Sequence, residues 1–151
     1  MESINERLRA IAREGSDDEL EALLLVPDCD ARSKNKDGMT ALMFAAWRGR
    51  VKCVQLLLPV SDATAKSLTG MTALMSAAWR GRETCVRLLL PLSDAVSKSN
   101  KGLTASDWAR EEKHESLAQL IDAYTLAQNE RAAIKCEVST QAVRGSAVHR
   151  M

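Results

Sequence analysis

Histidine and cysteine are the residue types best suited to metal binding or nucleophilic catalysis, and this sequence contains few of them. The two histidines, His114 and His149, have no cysteine or carboxylate pair nearby at the spacing that metal ligands require. The sequence also lacks a glycine-rich phosphate-binding loop and a nucleophile elbow. We therefore expect a protein that is not an enzyme and that needs no cofactor or metal.

Two of the four cysteines, Cys53 and Cys85, stand 32 residues apart, and each precedes a Leu-Leu-Leu run. If this spacing reflects a structural repeat, the two thiols lie one helix layer apart, at ~8–10 Å. That separation exceeds the ~7 Å between Cα atoms that a disulfide tolerates. Free cysteine often serves as a small buried hydrophobe. We therefore expect core packing in preference to metal or redox chemistry, and a reducing, cytoplasmic location.

The composition of the 151-residue chain is that of an ordinary folded domain, with 46% hydrophobic and 27% charged residues. Its net charge of +1 gives no overall field that would attract nucleic acid or a membrane surface. No apolar run approaches the ~20 residues that a membrane-spanning helix needs. We expect one soluble domain that is a monomer or a weak homo-oligomer.

The elements that must position any functional residue are repeated along the chain. Residues 38–58 return as residues 70–90 with four differences in 21 positions, and Gly38, Gly70 and Gly102 mark a period of 32 residues. A fixed period of this length is typical of stacked units that are each too small to bury their own apolar face. The sequence predicts an all-α solenoid of antiparallel helix pairs joined by turn loops.

Each full unit, 35–66 or 67–98, has the signals of two short helices. A threonine, Thr40 or Thr72, is expected to cap the inner helix, and a glycine after the Trp-Arg pair is expected to end it. A proline ends the outer helix. The expected inner and outer helices span residues 41–48 and 51–58 in one unit, and 73–80 and 83–90 in the other.

The two ends of the stack are expected to be divergent units. In residues 1–34, Ser3 is expected to cap one helix, and a second helix begins at Asp17 or Asp18. In residues 99–135, the last helix begins near Glu115 and has no breaker before about Lys135. Residues 136–151 lack helical periodicity, and we expect them to form a flexible tail.

The pattern Gly38-x-Thr40-x-Leu42-x-x-Ala45-Ala46-x-x-Gly49, followed by Val54-x-x-Leu57-Leu58, resembles the ankyrin repeat. The resemblance covers roughly residues 3–125, with two full units between two capping units. The family's Thr-Pro-Leu-His core reads Thr-Ala-Leu-Met in both full units, and the period is one residue shorter than the usual 33. The resemblance implies an adaptor that binds another protein, with no cofactor.

The resemblance also implies that a concave face binds the partner. One set of positions on that face flanks the turn glycine of each unit: Lys36, Asp37, Met39, Leu68, Thr69, Met71, Asn100, Lys101 and Leu103. A second set follows the Ala-Ala pair on the inner helices: Trp47, Arg48, Trp79, Arg80 and, in the last unit, Glu111 and Glu112. Trp and Arg are enriched at the energetic centres of protein interfaces.

Other interpretations of these residues stay open. The rings of Trp47 and Trp79 could instead cover the seam between adjacent inner helices, and Trp108 is expected to pack inside the last unit. Two further functions stay open as well. The final helix could mediate self-assembly, or a set of basic residues could contact nucleic acid, although the balanced net charge counts against it: Arg48, Arg50, Arg80, Arg82 and Lys101. Of these, the arginines after the helix-ending glycines, Arg50 and Arg82, are more readily explained as ion-pair partners within the fold.

Overall fold

The computed structural model describes the backbone of residues 2–148 and the side chains of residues 2–135. Over this part of the chain, eight α-helices follow one another without a strand. Short 3₁₀ turns at Leu58–Val60 and Leu90–Leu92 end the fourth and sixth helices. The helices are α1 Ile4–Glu14, α2 Asp17–Leu24, α3 Ala41–Arg48, α4 Val51–Leu57, α5 Ala73–Trp79, α6 Glu83–Leu89, α7 Ala105–Glu111 and α8 Glu115–Val148.

Successive helices pair, and the pairs stack on one another. The inner helices α1, α3, α5 and α7 form one layer in which each helix packs on the next, while α2, α4 and α6 form the outer layer. The first part of α8 packs on α7 and closes the last unit. The prediction of an all-α solenoid is confirmed.

Side-chain caps fix where the inner helices begin. The hydroxyl oxygens of Thr40, Thr72 and Thr104 each accept the backbone N–H three residues further on, at 3.3, 3.2 and 3.3 Å. In α1, Ser3 and Glu6 cap each other's backbone N–H groups in a capping box. The capping threonines and Ser3 were all predictable from the sequence, because a Ser or Thr precedes each apolar helical stretch.

A core of small and aliphatic side chains joins the layers. The alanines of the Ala-Ala pairs in α3 and α5 are fully buried, so adjacent inner helices approach closely. Cys53 and Cys85, in the first turns of α4 and α6, are fully buried as well. The expectation that these two thiols pack in the core is therefore confirmed.

Between the helix pairs, the chain forms a row of tight turns that we call the fingers, at residues 35–39, 67–71 and 99–103. Each finger closes on itself through a backbone hydrogen bond from its first residue to its last, such as Ser67 N–H to the Met71 carbonyl at 2.9 Å. Each finger also bonds to the next, because Leu68 N–H donates to the Asp37 carbonyl and Asn100 N–H to the Thr69 carbonyl, both at 2.9 Å. The fingers therefore form a continuous wall beside the inner helices.

The final helix is longer than the sequence predicts. The prediction that it ends near Lys135 is wrong for the backbone, because α8 continues to Val148. The flexibility predicted for residues 136–151 stays a prediction. Residues 149–151 lie outside the described part of the chain. No proline interrupts residues 136–148, and the single Gly145 costs a helix only about 1 kcal/mol. The absence of an apolar stripe therefore did not stop the helix.

Candidate functional site

A groove runs along the stack between the finger wall and the inner helices. Seven of the predicted site residues line its cavities, namely Lys36, Asp37, Met39, Trp47, Thr69, Met71 and Trp79, and the others of the predicted set lie outside that lining. The finger residues of the predicted set are all exposed: Lys36, Asp37, Leu68, Thr69, Asn100 and Lys101. Those that follow the finger glycines are half-buried: Met39, Met71 and Leu103. Leu68 has 70% of its surface exposed, within the range of the other exposed large apolar residues of this chain.

Trp47 lies half-buried on α3 between two guanidinium groups. Arg80, from the next unit, lies 4.9 Å from the centre of its ring, and Arg48 lies 5.2 Å away. Both distances are within the ~6 Å range of a cation–π contact. The indole N–H of Trp47 is buried and has no hydrogen-bond partner among the described residues.

Trp79, the copy of Trp47 on α5, contacts the last unit. Its indole N–H donates to the Glu112 carboxylate at 2.9 Å, and its ring centre lies 5.6 Å from that of Trp108. Trp108 itself is buried in the last unit, as predicted, with 9% of its surface exposed. The tryptophans thus do cover the seams between units, but Trp79 still has 36% of its surface exposed. Seam packing and an accessible surface are both present.

An apolar cavity of about 250 Å³ opens into the groove between the second and third units. Its wall is formed by three aromatic rings, two thioethers and two small hydroxyl residues: Phe44, Trp47, Trp79, Met39, Met71, Thr69 and Ser76. This volume lies below the ~300–1,000 Å³ of typical small-molecule pockets. The cavity is of a size to take one or two side chains of a partner, while methionine lets such a wall adapt its shape.

Phe44 and Ser76 were not among the predicted site residues. They occupy the same position in consecutive units, three residues before Trp47 and Trp79. Residues three apart on a helix lie on the same face, so this spacing could have identified them. Because Ser76 is small where its equivalents are Phe44 and Trp108, it leaves the space that forms the cavity.

The arginines proposed for nucleic acid are largely occupied within the fold. Arg50 donates to the Ile11 carbonyl at 3.0 Å and to Asp17 at 3.4 Å, so its predicted role as an ion-pair partner is confirmed. For Arg82 the same prediction is wrong, because its guanidinium donates to the Trp47 carbonyl at 3.4 Å and pairs with no carboxylate among the described residues. Arg48 pairs with Glu14 at 3.3 Å. These residues do not form one free basic face.

Beside Arg50, the buried Cys53 thiol donates to the same Asp17 carboxylate at 3.1 Å. Burial, and then this hydrogen bond, raise the pKa of Cys53 to about 12. Burial also raises the pKa of Cys85. Thiols that stay protonated are poor nucleophiles and poor metal ligands, which gives both cysteines a structural role.

Metal-binding side chains do not cluster among the described residues. No group of three or more His, Cys, Asp or Glu side chains lies close enough there to hold a metal ion. Among the helices of that same part of the chain, none is both long and apolar enough to cross a membrane.

Stacked helix pairs with a finger wall and a side-chain groove define a solenoid scaffold of the repeat-protein class. A family model for ankyrin repeats, in three copies, matches residues 8–101, which is more than half of the chain. The chain belongs to the ankyrin repeat family. Ankyrin repeats are generally protein–protein interaction modules. A search of curated proteins found no significant match.

Proposed function

We propose that this chain is a cytoplasmic adaptor that binds a partner protein in the groove between its fingers and its inner helices. The observation that carries the proposal is the apolar cavity between Trp47 and Trp79, which opens to solvent. Exposed apolar surface is costly in water unless a partner covers it. The protonated, buried thiols of Cys53 and Cys85 agree with a reducing compartment.

The groove binds its partner through a preformed surface and catalyses no reaction. Helix packing and the finger hydrogen bonds hold the cavity wall in place before any partner arrives, so little conformational entropy is lost on binding. Trp79 is further fixed by its hydrogen bond to Glu112. A preformed cavity with an aromatic wall is the arrangement in which a single anchoring side chain contributes most of an interface energy.

Filling the cavity from within the protein tests the proposal. Ser76→Phe places in the third unit the residue that the second unit has at this position. Ser76 is 2% exposed, so the melting temperature of the variant is measured beside its affinity to establish that the fold is kept. We expect Ser76→Phe to weaken partner binding at least tenfold, because the phenyl ring would occupy the anchor's space. Ser76→Ala is the matched control, since it removes the hydroxyl without filling the cavity.

The experiment compares affinity capture from the native cell by wild type, Ser76→Phe and Ser76→Ala, followed by calorimetric titration of each captured protein. A genuine partner is retained by Ser76→Ala and lost by Ser76→Phe, while melting temperatures of the three proteins agree. If every captured protein binds Ser76→Phe as tightly as wild type, the groove is not the binding site. Trp79→Ala is less informative, because it also removes contacts with Glu112 and Trp108 and so lowers stability.

A further inference from the structure

The apolar cavity is only one part of the groove. A second cavity, of about 510 Å³, lies one unit closer to the N-terminus, between α1 and the first finger. Phe44 lines both cavities, so they are two adjoining halves of one groove. Six charged residues line the second cavity: Glu6, Arg9, Arg13, Lys34, Lys36 and Asp37.

Positive charge predominates in this second half, with four cations against two carboxylates. One of the carboxylates is already used, because Glu6 accepts the Ser3 backbone N–H at 2.8 Å in the capping box. That hydrogen bond, with a further contribution from the charges of Arg9 and Lys36, holds the pKa of Glu6 below its usual value. Glu6 therefore stays charged and offsets part of the positive charge, but four cations still face only two carboxylates in this cavity.

Neutral groups satisfy two of the cations. Arg9 donates to the Ser33 hydroxyl at 2.8 Å, and Lys34 donates to the Lys66 carbonyl at 3.0 Å. Arg13 pairs with Glu14 at 3.3 Å, an exposed contact of the kind that contributes little. Lys36 is exposed and forms no ion pair within the described part of the chain. This half of the groove therefore keeps an excess of positive charge.

The two ends of the groove differ in sign. Arg80, which is exposed and stacked on Trp47, adds a cation at the rim of the apolar cavity. A guanidinium stacked through its face still presents its N–H edge to a carboxylate. At the far end, beyond Trp79, stand the exposed carboxylates Glu111 and Glu112. The exposed Lys101 also lies at that end, 5.4 Å from the centre of the Trp108 ring, and offsets one of these carboxylates. An acidic ligand is thus favoured at the N-terminal end.

Given the proposed function, on which this inference rests, we propose that the partner presents an acidic segment with one bulky apolar side chain. The apolar side chain of this segment enters the cavity between Trp47 and Trp79. The carboxylates of the segment lie over four cations: Arg9, Arg13, Lys34 and Lys36. Adjacent units are ~8–10 Å apart, and an extended peptide rises ~3.3 Å per residue. The carboxylates of an extended segment therefore begin about three residues from the anchor.

Selection of random peptides on the full chain tests this chemistry without knowledge of the partner. A phage library is selected on wild type and depleted on Ser76→Phe, so that the retained peptides depend on the apolar cavity. We expect these peptides to combine Leu, Phe or Trp with an excess of Asp and Glu on one side of it. Their affinity is expected to fall steeply between about 0.1 M and about 1 M salt, because the added ions screen the charges.

Charge reversal is the matched measurement on the best acidic peptide. Arg13→Glu with Lys36→Glu changes two exposed cations in the groove, and the affinity is expected to fall at least tenfold. Arg7→Glu with Lys52→Glu makes the same change in charge outside the groove, and the affinity is expected to stay within about twofold of wild type.

Several outcomes would overturn the inference. Peptides without an acidic excess, or a library that yields no cavity-dependent peptide, would contradict the proposed partner chemistry. Equal losses in the two charge-reversed proteins would show that only overall charge matters. A single-stranded oligonucleotide that competes with the peptide at equal or higher affinity would point to nucleic acid. In each case, a captured protein that still requires the open Ser76 cavity would leave the proposed function intact.

Discussion

The finger wall provides a matched pair of substitutions, Gly70→Ala and Gly102→Ala. Both glycines have the same left-handed backbone, with φ of +78° and +77°. A Cβ added at Gly70 would lie 2.8 Å from the backbone nitrogen of Asn100 in the next finger, whereas a Cβ at Gly102 would meet nothing within 4 Å. The pair therefore separates the cost of the backbone conformation from the cost of disturbing the next finger.

The magnitudes follow from these contacts. A left-handed conformation costs an alanine about 1–2 kcal/mol, and about 0.4–1 kcal/mol of this is offset because alanine restricts the unfolded chain. Gly102→Ala should thus lower the free energy of unfolding by about 1 kcal/mol. At Gly70, the shift of the finger would also stretch two hydrogen bonds of Asn100, to the Thr69 carbonyl at 2.9 Å and the Leu68 carbonyl at 2.8 Å. Each hydrogen bond contributes about 0.5–1.5 kcal/mol, so Gly70→Ala should lower the free energy of unfolding by about 2–4 kcal/mol in total.

Urea unfolding followed by far-ultraviolet circular dichroism measures both values on the same chain. The slope of the free energy against urea concentration should stay unchanged, because the two variants expose the same surface on unfolding. Equal losses of stability in Gly70→Ala and Gly102→Ala would refute the reasoning. That result would mean that the hydrogen bonds between fingers contribute nothing beyond the turns themselves.

Three further predictions concern the core and the contacts between units. Ile121→Ala should lower the free energy of unfolding by about 2–4 kcal/mol, and Ile134→Ala by less than about 0.5 kcal/mol, because the first side chain is 1% exposed and the second 60%; urea unfolding checks both. Arg50→Ala should lower the free energy of unfolding by about 1–3 kcal/mol in the same measurement, because the half-buried guanidinium joins two units. The exposed ion pair of Arg48 contributes only about 0–1 kcal/mol. The pKa of Cys53 is raised from 9.0 to about 12 in the folded state, so the unfolded state loses its proton first and stability falls as pH rises above 9. Thermal melts over a pH series should show a smaller fall in melting temperature at high pH for Cys53→Ala than for the wild type.

The fold was largely predictable because its signals are local. Thr40, Thr72 and Thr104 cap helices whose first turns follow them directly in the chain, and the Ala-Ala pairs lie where neighbouring helices must approach. The end of α8 was not predictable in the same way. Residues after Lys135 lack an apolar stripe, which removes the tertiary reason for a helix, but they also lack any residue that would terminate one.

The details of the site were less accessible, because they arise from contacts between units. The hydrogen bond from Trp79 to Glu112 joins residues 33 positions apart, and the Arg80 contact with the Trp47 ring spans the same distance. Which side chain turns toward which neighbour depends on the stacking geometry, and no pattern within one unit encodes it. Phe44 was not predicted for another reason, because the prediction rested on residues identical in both units and this position differs.

The contacts between the first two units have a consequence for how such chains change length in evolution. Arg48, Arg50 and Cys53, which bind the first unit, have identical counterparts 32 residues later in Arg80, Arg82 and Cys85. A deletion of residues 38–69 would present these counterparts to α1 in the same order, so the remaining units would still find a matching neighbour. Recombination between the two copies therefore adds or removes one whole unit, and it shortens or lengthens the groove without the need for a new interface.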